Sequence, residues 1–104
     1  MGRGRWWWRS VTGMATATEK AEKGAALLDE RLPGWRKMVA PESLQLRWCS
    51  TCVLGQLFGD YERGVNALGL SDAEAREYGF YVTDGRKSSL WGHLTEAWRQ
   101  VLTA

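Results

Sequence analysis

A chain of 104 residues, 44% hydrophobic and 25% charged, has room for one modest core and an ordinary globular composition, which excludes a wholly disordered chain. Arg3, Arg5 and Arg9 hold three of its 14 basic residues and no acidic residue precedes Met14, so the chain from Met14 onward carries 11 basic against 12 acidic side chains and the net charge of +2 belongs to the first residues. That balance argues against DNA binding through the body, because phosphate recognition needs a concentrated basic face, and no run approaches the roughly 18 apolar residues of a membrane span.

Residues 1–13, MGRGRWWWRSVTG, differ in character from the rest of the chain. They are expected to form a disordered Arg/Trp tail, or to precede a true start at Met14, leaving residues 14–104 as one small helical domain. Clustered Arg and Trp also suit a membrane interface or stacking on single-stranded nucleic acid. Three tryptophans are too short for the apolar core of an export signal, so the expected location is the cytoplasm, that of the host cell if the chain is phage-encoded. Cys49 and Cys52 would stay reduced there.

The first helix is expected over 17–32. Thr16 and Glu19 have capping-box spacing, Ala21, Ala25, Leu28 and Leu32 share one face, and Glu19 with Lys23 forms an i,i+4 pair. Pro33 and Gly34 stop it. Trp35 and Met38 fit a short turn, and Pro41 opens another. A second helix is expected over 51–68 on the stripe Leu54, Leu57, Phe58, Tyr61, Val65 and Leu68. Gly55, Gly59 and Gly64 interrupt it at a cost of about 1 kcal/mol each. Gly55 and Gly59 suggest a face packed closely against a tryptophan, and a kink near Gly59 or Gly64 is an alternative. Gly69 ends this helix. Ser71 and Glu74 cap a short third helix to about Tyr78. Residues 80–83 read as extended, with Asp84-Gly85 as a turn, and are placed to pair with residues 44–46. A last helix over 89–102 should turn Leu90, Leu94, Ala97, Trp98 and Val101 to the core. The fold class is therefore mainly α: about four helices around a tryptophan-rich core, with one short two-stranded pairing.

The sharpest motif is Trp48-Cys49-Ser50-Thr51-Cys52. A W-C-x-x-C at a helix start resembles the redox motif of thioredoxin-like proteins, where the helix terminus makes a thiol nucleophilic. The surrounding strand–helix–strand frame is missing, and Pro33 and Pro41 both precede the cysteines. As metal ligands, Cys49 and Cys52 supply two of the four donors a structural zinc needs, and His93 is the only histidine. Carboxylates or a second chain would have to complete such a site. No G-x-S-x-G elbow and no phosphate-binding glycine loop occurs, so hydrolase and nucleotide chemistry have no support. Read as a helix-turn-helix, the segment from Val53 to Phe80 would present Asp72, Glu74 and Glu77 against Arg76 alone, the wrong sign for a major groove.

Five stretches give the body a resemblance: EKGAALLDERLPGW (22–35), CVLGQLFGDY (52–61), LGL (68–70), AREYGF (75–80) and LTEAWRQVL (94–102). With its C-x-L-G-Q-L-[FY]-G-x-Y core, the chain resembles a set of small uncharacterised proteins of actinobacteria and their phages. The resemblance implies a phage or mobile-element setting and no mechanism, and the Arg/Trp tail departs from it. The expected function is non-enzymatic: an accessory protein that binds a host or phage protein, with Gln56, Phe58, Tyr61 and Glu62 as the contact surface. The alternatives are a thiol or zinc site at Cys49 and Cys52, and a tail that binds membrane or nucleic acid. The oligomeric state is not legible in the sequence.

Overall fold

Helix α1 (Ala17–Arg31) starts where Thr16 accepts from the Glu19 N–H at 3.1 Å and the Glu19 carboxylate accepts from the Thr16 N–H at 2.9 Å, the capping box its spacing predicts. The computed structural model describes residues 16–82, 85 and 87–103, so the tail and the Met14 start lie outside the described residues, as does part of the Asp84-Gly85 turn. Two 3-10 turns come after α1, Trp35–Met38 and Pro41–Ser43. Then come α2 (Val53–Phe58), α3 (Tyr61–Leu68), α4 (Asp72–Glu77) and α5 (Leu90–Thr103). Among the described residues there is no strand, and the fold is mainly α.

α1 and α5 pack along each other and form the body of the core. Ala21, Ala25 and Leu28 are buried, as are Leu94, Ala97 and Trp98 on the facing helix. The core face of α5 differs from expectation at its first turn. Leu90 is exposed, and Trp91 takes the inward position. Three tryptophans, Trp35, Trp91 and Trp98, are buried, and each indole N–H has an acceptor at 2.7 Å: Asp29 Oδ1, the Gly85 carbonyl and the Gly79 carbonyl respectively. A buried indole without such a partner would lose its bond to water uncompensated. The close approach of glycine to tryptophan that Gly55 and Gly59 suggested occurs at Gly24 on α1, which lies under the Trp98 ring. Lys23 pairs with Glu77 and so ties α1 to α4.

The single helix expected over 51–68 is two. Gly59 has φ +104°, which no L side chain adopts cheaply, and it closes α2 by donating to the Gly55 carbonyl at 2.9 Å. Asp60 then caps α3, accepting from the Arg63 N–H at 2.8 Å. The apolar stripe runs across the break because α2 and α3 fold onto each other, with Leu54 resting on Gly64. Gly69, left-handed at φ +69°, ends α3, and the Ser71–Glu74 capping box starts α4.

The pairing expected between residues 44–46 and 80–83 is not formed where those residues are described. Their backbone groups are engaged elsewhere. The Leu46 N–H donates to the buried Thr95 hydroxyl at 3.0 Å, and Arg99 donates to the carbonyls of Pro41 and Leu44 at 3.0 and 3.1 Å. Phe80 donates to the Ala75 carbonyl at 2.9 Å. The 3-10 turn Pro41–Ser43 and the residues after it, to Leu46, are therefore pinned to α5.

Candidate functional site

The cysteines lie on a single tight turn. The Trp48 carbonyl accepts from the N–H groups of both Thr51 and Cys52, at 3.3 and 3.0 Å, which is the bonding of one helical turn. Gln45 fastens the turn from outside: its N–H donates to the Thr51 carbonyl and its carbonyl accepts from the Thr51 hydroxyl, both at 3.1 Å. From inside, Gly55 presses on it so closely that a Cβ there would sit 2.2 Å from the Cys49 carbonyl oxygen. The glycine at this position of the helix thus admits the neighbouring backbone, not a ring.

Cys52 is the N-cap of α2. Its sulfur accepts from the Gly55 N–H at 3.2 Å and donates to the Cys49 carbonyl at 3.5 Å. It is buried, and burial pushes its thiol pKa up, the bond from Gly55 working the other way. Such a sulfur stays a thiol at neutral pH, the reverse of the activated thiol a redox catalyst needs. Cys49 is exposed, and both cysteines are free thiols. Among the described residues no group of three or more His, Cys, Asp or Glu side chains gathers to hold a metal ion, and His93 faces solvent on α5.

Beside this turn lies a cleft of about 60 Å³. Arg47, Cys49 and Cys52 form one wall, Tyr61 from α3 another, and Phe80, Tyr81 and Trp91 close it from the far part of the chain. Its rings form a chain. Tyr81 lies 5.6 Å from Tyr61 and, edge-on, 5.6 Å from Trp91. Burial, and after it the Asp72 carboxylate, pushes the Tyr61 phenol up to about 12. Below its ordinary pKa of 10 the folded and unfolded chains both hold that proton; above it the unfolded chain ionises first, so folding stability should fall as pH rises from 10 towards 12. A phenolate absorbance titration should show a late-ionising phase, and Tyr61→Phe should remove it. A late phase surviving in the variant would assign it to another tyrosine.

The four residues expected to make a contact surface fall on two helices. On α2, the Gln56 amide braces the loop, accepting from the Ala40 N–H at 2.7 Å and donating to the carbonyls of Ala40 and Thr51 at 3.3 and 3.2 Å. Phe58, also on α2, is half-buried against the core. On α3, Tyr61 lines the cleft and Glu62 is exposed. Arg47, Tyr81 and Trp91 are not marked as site residues by the sequence: Arg47 adjoins the W-C-x-x-C motif without being part of it, and no local spacing relates Tyr81 or Trp91 to the cysteines.

Comparison of the chain with family models, with curated proteins and with solved structures returns no match.

Proposed function

We propose that this chain is a small non-enzymatic accessory protein, of the phage or mobile-element kind its sequence resembles, and that it binds another protein at the cleft beside the Cys49–Cys52 turn. The observation that carries this reading is a pair of exposed large aromatics, one lining the cleft and one next to its lining residues in the chain. Tyr81, 39% exposed, lines the cleft, and Trp48, 50% exposed, stands in the chain between two of its lining residues. Trp, Tyr and Arg are the residue types that dominate binding energy at protein interfaces, and Trp48, Tyr81, Tyr61 and Arg47 supply all three. The size of the cleft supports the same reading. At about 60 Å³ it offers less than half the roughly 150 Å³ that holds a benzene, too little for a nucleotide or cofactor and enough for the tip of one aliphatic side chain.

Selection of a displayed random-peptide library against the folded protein tests this. Selected peptides are expected to carry one apolar anchor residue. Trp48→Ala and Tyr81→Ala should each weaken their binding by more than about tenfold without changing the circular dichroism of the fold. Peptides that bind both variants as tightly as the wild type would place the contact elsewhere.

A further inference from the structure

We propose that Cys49 and Cys52 are a thiol–disulfide pair, converted to an intramolecular disulfide by a low-molecular-weight disulfide. The argument is geometric and independent of the proposed binding function. A turn with one carbonyl accepting from the third and fourth residues beyond it has helical curvature, which sets Cα atoms three residues apart at about 5 Å. That lies within the roughly 4.4–6.8 Å that a disulfide spans. The Cys52 sulfur already reaches back to the Cys49 carbonyl, 3.5 Å away. Both cysteines line the same small cleft.

The backbone is held for this step before it occurs. Gly55 packs on the Cys49 carbonyl and on Ser50, and Gln45 grips Thr51, so the turn cannot relax by letting its ends drift apart. Closing the bond then needs side-chain rotation alone, and the short loop adds little chain ordering to the cost. Exposure divides the labour. Exposed Cys49, as thiolate, attacks one sulfur of the small disulfide, forming a mixed disulfide and releasing one thiolate. Cys52, a resting thiol, loses its proton only as it attacks the Cys49 sulfur and expels the second thiolate, which takes that proton up to leave as a thiol. Two protein thiols are oxidised, and one disulfide is reduced to two thiols. In the product the Cys52 sulfur has turned from the Gly55 N–H, so α2 loses its thiol cap and the cleft wall is rebuilt.

The test is to incubate the reduced full chain with oxidised glutathione and follow intact mass and thiol alkylation after unfolding. The wild type should end lighter by two hydrogens, with no adduct and both thiols lost to alkylation. Cys52→Ser keeps an N-cap oxygen and should keep its fold; it should accumulate a glutathione adduct on Cys49 that does not resolve. Cys49→Ser should stay unmodified while folded, its remaining thiol reacting only after unfolding. A wild-type chain that retains the adduct on Cys49 with Cys52 still alkylatable, or one that takes up no oxidising equivalents, overturns the proposal.

Discussion

Trp98→Ala is expected to cost about 3–5 kcal/mol. Trp98 is fully buried. Its ring meets Trp35 edge-on at 5.9 Å and stacks on Phe80 at 5.5 Å, so it joins the α1–α2 connection to the segment after α4. Its N–H donates to the Gly79 carbonyl at 2.7 Å, which fixes the left-handed turn that delivers Phe80 to the core. Truncation to alanine removes the ring area and leaves a cavity whose walls are two helices and two other rings, surfaces that cannot collapse inward easily. Small domains are held by about 5–15 kcal/mol in all, so the variant should lose a large share of its stability. Denaturant unfolding should show the midpoint falling with the slope unchanged. A loss below about 1 kcal/mol would mean that α1 and α5 close over the gap and that the ring is not the keystone of the core.

What was legible in the sequence was local. The capping boxes at Thr16–Glu19 and Ser71–Glu74 each need only four residues to be recognised, and both form. The α1 face and most of the α5 face come from helical period, which depends on no distant partner. The helix break at Gly59-Asp60 is legible as a glycine followed by an N-cap residue, and a kink near Gly59 is among the alternatives the glycines offer, but the apolar stripe through Leu57, Phe58 and Tyr61 favours one continuous helix. A stripe cannot distinguish one straight helix from two that fold onto each other, because both bury the same side chains. The strand reading of residues 44–46 failed for a different reason. Alternation of Leu44 and Leu46 with polar neighbours suits a strand, yet Thr95 and Arg99 on α5 take the backbone groups a partner strand would need, and nothing local announces them. The cleft was least legible. The CxxC motif was visible, but Tyr81 and Trp91 reach it from some 30 and 40 residues away, through the packing that sets the helices.

One substitution made in the two helices that face each other should act in opposite directions. Gly24→Ala, in the middle of α1, gains about 1 kcal/mol of helix propensity, which alone would stabilise the fold. The new methyl, however, would sit 2.2 Å from the Tyr78 carbonyl oxygen and 2.7 Å from the Trp98 ring. A backbone carbonyl cannot rotate aside, and the ring is held by its bond to Gly79 and by Phe80 stacked on it. α1 would have to move off α5, separating the contact that carries most of the core. Overpacking of this kind costs typically 1–3 kcal/mol and more when backbone must shift, so the clash outweighs the propensity and a net loss of about 2 kcal/mol or more is expected. Gly92→Ala, in the first turn of α5, places its methyl in open space, with no atom beyond its chain neighbours and its own helix backbone within 4 Å. Propensity acts there unopposed, and a gain of roughly 0.5–1 kcal/mol is expected. Thermal unfolding of the two variants side by side separates packing from propensity. If Gly24→Ala melted at or above the wild-type temperature, the close seat of Trp98 on α1 would not be what holds these helices together, and the cost assigned to Trp98→Ala would fall with it.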